Sequence, residues 1–336
     1  MKGVCLQAIG QVELMDMPLP AIQADQLLIK TGATTICTSD VNDIRSNPFQ
    51  TPLPVILGHE AAGTVVDVGE AEKVFKAGDR VATHPVHPCG LCQACQDGMR
   101  HLCLNMGHFG LNLPGTMAEY YCVRQDRARP LPDDVAFDVA ALAEPVGVCQ
   151  EALEQARLAP GQSLLIIGDG PFGVLMARLA ASMPLGGVIL AGQIDFRLSF
   201  APQQFRLNTK DASAPIQAML AANDGNSYDA AILAVGSRKA FADGLACLKP
   251  RGRMVVFSAL AGETPVDLFS LHLKELEIVG ACSDKDLFDK SVALLGAPAL
   301  ALRELVTHHF PLEEYRRAFE LAEFGKNEAM KVCFCP

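Results

Sequence analysis

Four thiols crowd one short stretch of this chain. Cys89, Cys92, Cys95 and Cys103 follow the spacing C-x2-C-x2-C-x7-C. Thiolates a few residues apart in a turn can aim at one centre, and four soft sulfurs suit tetrahedral Zn²⁺. Such a closed shell has no position for water, so the metal would hold a loop in shape and do no chemistry. An iron–sulfur cluster uses similar spacing and is the competing reading; four free thiols is the third.

A second signature is the turn Gly168-Asp169-Gly170-Pro171-Phe172-Gly173, a G-x-G-x-x-G sequence. The pattern alone is weak, but an apolar strand precedes it and a helical stretch follows, which makes it a dinucleotide site. The first glycine makes the turn, the second admits pyrophosphate to backbone N–H groups, and the third lets helix and strand approach. Pyrophosphate then sits at the positive end of the helix. Asp169 is out of character, since its carboxylate would lie near phosphates unless it points outward. An NAD site also expects an acid about 20 residues on, at the end of the second strand. That position is Gly192, and Asp195 comes too late, in the loop. Without the acid there is no repulsion against a 2′-phosphate, which Gln193, Arg197 or Arg206 could contact. The cofactor expected is therefore NADP or NAD, with NADP favoured; relaxed specificity is the alternative.

A third set is dispersed: Cys37-Thr38-Ser39-Asp40, Gly58-His59-Glu60 and Glu144-Pro145. No spacing rule joins these segments, and a lone Cys or His is more often a packed core residue.

The elements that must carry these groups fall into two styles. Short strands over 12–15, 26–31, 62–68 and 80–83 are apolar or alternating runs bounded by Gly, Pro and Asp. A helix is predicted over 140–158, stopped by Ala159-Pro160-Gly161. Strand–helix alternation follows, with strands over 163–167, 187–190, 228–235 and 253–258 and a helix over 172–183. Alternating βαβ units imply a doubly wound parallel sheet. Helices over 285–294 and 312–324 and a strand over 330–334 close the chain.

With 336 residues, two domains are the default expectation. Hydrophobic residues make up 50% and charged residues 20%, as in a folded soluble protein. The net charge of −10 repels phosphate backbones and argues against nucleic acid as a partner. Neither a signal peptide nor a run long enough to span a membrane is present, so the expected location is the cytoplasm. Twelve cysteines in a reducing compartment suggest metal rather than disulfides.

Taken together, the three sets resemble the zinc-dependent medium-chain alcohol dehydrogenases, especially the sorbitol and secondary-alcohol branch. The resemblance spans nearly the whole chain, from Gly58-His59-Glu60 through the cysteine lobe, Glu144-Pro145 and the glycine turn to the strand at Lys331-Val332. It implies a GroES-like β-rich catalytic domain over 1–145 and 285–336, and a Rossmann domain over 146–284, with the active site in the cleft between them. It implies a catalytic zinc on Cys37 and His59, with Glu60, Glu144 or the two in exchange as third protein ligand, and an open position for water or substrate. Ser39 would pass the alcohol proton towards solvent, and Asp40 would orient His59. The family usually places a histidine three residues after that serine. Asn42 stands there instead and cannot accept the proton, so turnover is expected to depend steeply on buffer or pH. With the structural site, this makes two zincs per chain.

The expected activity is reversible oxidation of a secondary alcohol or polyol to its ketone, in a homodimer or homotetramer, with Phe49, Phe109 and Leu111 shaping the pocket. One rival is a zinc-less quinone or enone reductase on the same fold; another is a non-catalytic NAD(P)H sensor. His84, His87, His101 and His108 are read as loop or surface residues, because four thiolates already fill a tetrahedron.

Overall fold

The computed structural model describes residues 1–260 and 262–336. Two compact units emerge, Met1–Gly147 with Lys285–Pro336, and Val148–Asp284.

The first unit is built on a seven-stranded sheet. Its long central strand, Gln26–Thr35, pairs antiparallel with Glu60–Val68 on one side and with Tyr120–Arg124 and the closing strand Lys331–Phe334 along the other. Arg80–Thr83 and Ala128–Pro130 extend one edge, and Val306–Phe310 the other, in parallel with the closing strand. Alternating burial along the central strand places Leu27 and Ile29 in one core with Val65, Val81, Phe109, Tyr121 and Val123. A second core gathers Leu6, Leu57, Met117, Phe319 and Phe334. It includes the strand Lys2–Ala8, which pairs with Gln11–Asp16.

The second unit is a six-stranded sheet, here numbered in chain order: β1 Ser163–Ile167, β2 Gly187–Gly192, β3 Arg206–Asn208, β4 Tyr228–Leu233, β5 Leu248–Val256 and β6 Glu277–Gly280. All pairings are parallel and the spatial order is 3-2-1-4-5-6, the doubly wound arrangement. β1 is buried at every position because helices cover both faces of such a sheet. Helix α1, Pro171–Ala180, begins directly after the glycine turn, with its proline at the first helical position.

Several predicted elements have different limits: the strand over 253–258 is Leu248–Val256 and the helix over 172–183 is Pro171–Ala180. The helix over 140–158 is two pieces, Phe137–Ala140 and Ala143–Gln155, and Arg157 turns left-handed at φ +48. The helix over 285–294 starts only at Phe288, because Lys285 and Asp286 hold φ of +47 and +58, outside helical space. The helix over 312–324 is helical from Tyr315, after a 3-10 turn.

Candidate active site and metal centres

Cys37, His59 and Glu60 lie on separate elements that the central sheet brings together. Cys37 precedes the helix Thr38–Ser46, just beyond the end of the central strand. Glu60 opens the neighbouring strand and pairs with Thr35, and His59 immediately precedes it. One ligand atom from each of the three lies within 4.8 Å of the others, and all three residues are buried. Thiolate, imidazole and carboxylate are the donors of an open zinc site.

The surroundings fix these donors. Asp40 Oδ2 accepts the Cys37 N–H at 2.8 Å, and its Oδ1 lies 3.4 Å from His59 Nδ1 and accepts the Gly58 N–H at 3.3 Å. One carboxylate therefore ties both ligand-bearing segments. Burial opposes a charge on His59, but Asp40 and Cys37 outweigh it and raise the imidazole well above its usual range. Glu60 Oε2 receives the Thr35 hydroxyl and the Lys331 ammonium, while Oε1 is buried without a hydrogen-bond partner. A buried carboxylate oxygen left open beside a thiol and an imidazole fits a cation. Lys331 also donates to the Ile36 carbonyl at 3.2 Å. Glu144, half-buried in the first turn of Ala143–Gln155, lies outside the three-residue group but near enough to act on Lys331. Ser39 and Asn42 are half-buried on the helix Thr38–Ser46.

The four thiols also converge. Ligand atoms of Cys89, Cys92, Cys95 and Cys103 fall within 4.8 Å of one another, close to the ~3.8 Å sulfur–sulfur edge of a zinc tetrahedron with ~2.3 Å bonds. A cluster spreads its thiolates over several irons, so this spacing favours a single ion. Backbone amides of Leu91 and Cys92 donate to Cys89 Sγ at 3.4 Å each, and Leu104 to Cys92 Sγ at 3.4 Å. These donors pull the Cys89 thiol down to about 6 and lower Cys92 as well, whereas burial pushes Cys95 up to about 12.

At the glycine turn, each glycine has its own physical reason. Gly168 holds φ +124. A Cβ on Gly170 would meet nothing within 4 Å, which leaves the space a phosphate needs. A Cβ on Gly173 would stand 1.8 Å from the Gly168 carbonyl oxygen, so only glycine permits that approach. Pro171 and Phe172 begin α1, and the Phe172 ring lies edge-on to Phe257 at 5.3 Å. Gly192 ends β2, followed by exposed Gln193 and half-buried Arg197.

The structure revises several expectations. His84, His87 and His101 are buried, packed rather than surface residues; His84 meets Phe288 at 4.9 Å and His87 meets Phe109 at 4.8 Å. His108 lies 5.4 Å from the His59 ring and donates from Nδ1 to the Phe109 carbonyl, 2.6 Å away. Burial, with the nearby His59 charge, depresses His108 to about 3. Phe109 is a core residue, 2% exposed, while Phe49 is exposed. The strand end at Gly192 is not free of acid, because the Asp169 carboxylate is there. Asp43 escaped notice altogether: it is buried, and burial with the neighbouring Asp40 raises its carboxyl to about 6. Its i, i+3 spacing from Asp40 on one helix was the available signal.

Comparison with known proteins supplies the family. The alcohol dehydrogenase GroES-like domain profile matches residues 23–133, and the zinc-binding dehydrogenase profile matches 173–295. Sorbitol dehydrogenase of Bacillus subtilis (strain 168) is 29% identical over 100% of this chain and 97% of its own length. L-threonine 3-dehydrogenase of Anaeromyxobacter sp. (strain K) is 28% identical over 93% of this chain and 92% of its own. Among solved structures, alcohol dehydrogenase TADH from Thermus sp. ATN1 superposes with a TM-score of 0.88 at 27% identity, covering 100% of this chain and 99% of that one. With one profile on each unit and relatives aligned end to end, this chain belongs to the zinc-dependent medium-chain alcohol dehydrogenase family.

Proposed function

We propose that the chain interconverts a secondary alcohol or polyol and its ketone, exchanging hydride with a nicotinamide dinucleotide. The observation that carries this reading is the buried trio Cys37, His59 and Glu60 with the open Glu60 Oε1. Cys37, His59 and Glu60 would hold zinc, with Glu144 as the alternative carboxylate. Zinc in such a set supplies Lewis acidity, which lowers the pKa of an alcohol. Asp40 positions the His59 ring through Nδ1 and the Cys37 backbone through its N–H. The Ser39 hydroxyl takes the alcohol proton and hands it on. Asn42 cannot receive it, so it leaves to water. Gly168, Gly170, Pro171, Phe172 and Gly173 would hold the dinucleotide pyrophosphate, and Gly192, Gln193 and Arg197 its adenosine half. Cys89, Cys92, Cys95 and Cys103 would hold a second zinc that shapes their loop.

The relatives named for sorbitol and threonine suggest a hydroxyl flanked by further polar groups as substrate. All twelve cysteines are free thiols, in keeping with a reducing compartment such as the cytoplasm. No helix among the described residues is long and apolar enough to cross a membrane. A homodimer or homotetramer is the proposed assembly, read out by light scattering on a sizing column. The deciding experiment pairs metal analysis with an initial-rate screen of polyols and small secondary alcohols. Two zincs per chain and turnover of at least one alcohol are expected, with turnover lost in Cys37→Ser. One zinc per chain with enone reduction, or two zincs with no turnover of any alcohol, would overturn the reading.

A further inference from the structure

The carboxylate missing from the end of β2 has a replacement in space. Asp169 is 9% exposed, and its side chain reaches from the glycine turn to the β2 terminus. Its Oδ2 accepts the backbone N–H groups of Gln193 at 2.6 Å and Ile194 at 2.7 Å. A Cβ built on Gly192 would stand 2.5 Å from Asp169 Cβ and 2.6 Å from Oδ2. The Asp169 side chain thus fills the volume that a residue-192 side chain would occupy. Gly192 is glycine because Asp169 needs the room.

This is where a doubly wound sheet places the adenosine ribose, beside the end of β2 and the start of α1. Two amide donors satisfy Oδ2 and hold the carboxylate still. Oδ1 makes no hydrogen bond among the described residues, so it is available to a ribose hydroxyl. A charged acceptor binds a hydroxyl donor well and repels a phosphate dianion at the same spot.

The cations that could offset that repulsion are few. Arg206 is already engaged, donating from Nε to the Ala201 carbonyl at 2.8 Å and from a terminal nitrogen to the Ser199 carbonyl at 2.7 Å. Gln193 and Ile194, directly after the strand end, carry no charge. Arg197 remains, with a buried Nε that makes no hydrogen bond, and Asp169 lies close enough to act on its charge. Asp169 offsets the Arg197 charge, and the other nearby cation, Lys210, is exposed to solvent one residue beyond the Thr209 that donates to the Gly192 carbonyl, so the position suits a ribose diol better than a dianion.

We propose that Asp169, delivered from the glycine turn to the end of β2, is the residue that selects NAD(H) over NADP(H). This rests on the dehydrogenase reading above, and it replaces the NADP expectation drawn from Gly192, whose premise was an acid-free strand end. The chain has no tryptophan, so calorimetric titration of the full-length protein with NADH and with NADPH is the direct test.

Wild type is expected to bind NADH about ten-fold or more tightly than NADPH, the worth of one charge-assisted hydrogen bond. Asp169→Asn, which keeps an acceptor for the Gln193 and Ile194 amides, should weaken NADH by about that factor and bring the two affinities together. The transposed variant Asp169→Ala/Gly192→Asp returns the acid to the strand and should keep the NADH preference. Equal or tighter NADPH binding by wild type would overturn the assignment, as would an unchanged ratio in a folded Asp169→Asn protein. If Asp169→Asn does not fold, the wild-type ratio and the transposed variant still decide. Failure of wild type to bind either dinucleotide would overturn the dehydrogenase reading itself and this inference with it.

Discussion

Replacing Lys331 with methionine tests the charge balance around the active site. Methionine keeps the length and apolar stem of lysine and removes only the cation. The Lys331 side chain is 3% exposed and its partner Glu60 0%, so the pair is fully desolvated. Removing one partner from such a pair strands the other charge and costs about 3–5 kcal/mol. In a domain of this size each kcal/mol lowers the melting temperature by about 2–4 °C, so the zinc-free variant should melt about 6–20 °C below zinc-free wild type. Loading zinc places a dication beside the stranded carboxylate, so the gap between variant and wild type should narrow to less than half. Differential scanning calorimetry on chelator-dialysed and zinc-reconstituted proteins reads both quantities. The double variant Lys331→Met/Glu60→Gln, which removes the fully buried carboxylate paired with Lys331 and leaves half-buried Glu144 near the lost cation, should recover most of the zinc-free loss. The reasoning is refuted if zinc-free Lys331→Met melts within about 2 °C of wild type, or if the double variant melts no higher than the single one.

Three further outcomes are expected. Gly173→Ala sets a methyl 1.8 Å from the Gly168 carbonyl oxygen, so it should lose dinucleotide binding and at least about 1–3 kcal/mol of stability; calorimetric binding at wild-type affinity would exclude the tight approach. Burial, with Arg127 and Arg124 nearby, lowers His87 from 6.5 to about 3. The unfolded chain therefore binds a proton that the folded one refuses, and stability falls as pH drops from about 6.5 towards 3, by up to about 1.4 kcal/mol per pH unit. His87→Leu should flatten that slope in urea unfolding between pH 7 and pH 5, and equal slopes in both proteins would count against it. Asn42→His should make turnover less dependent on buffer concentration, and an unchanged pH–rate profile would remove Asn42 as the cause.

Much of this architecture is legible in the sequence, because its strongest signals are local. The four thiols declare themselves by spacing, and the glycine turn by its place between a buried apolar run and a helix. Strand limits such as Arg80–Thr83 and Ser163–Ile167 follow from where Gly, Pro and Asp interrupt the apolar runs. Cys37, His59 and Glu60 are different. They come together only through the register of Gln26–Thr35 against Glu60–Val68, a long-range pairing that no local pattern encodes, so the family resemblance had to join them. The pairing of Lys331 with Glu60 was invisible for the same reason. Asp169 shows the converse limit. Position along the chain says where an acid is absent, but only the fold shows that a side chain 23 residues earlier reaches the same point. The histidines beside the thiols were misplaced because a filled thiolate tetrahedron excludes them as ligands but says nothing of burial, and aromatic neighbours and hydrogen bonds make the interior tolerable.

The Glu60–Lys331 bridge has a further meaning for biosynthesis. Its two ends are 271 residues apart, with the whole Val148–Asp284 unit between them. On the ribosome, Cys37, His59 and Glu60 emerge early, but the cation that balances them arrives only with the closing strand. At typical synthesis rates of about 5–20 residues per second, the interval is on the order of 15–50 seconds. Throughout it Glu60 lacks the ammonium that pairs with it in the folded protein. Docking of the Lys331–Phe334 strand against Gln26–Thr35 is therefore the step that completes the charge balance of the site.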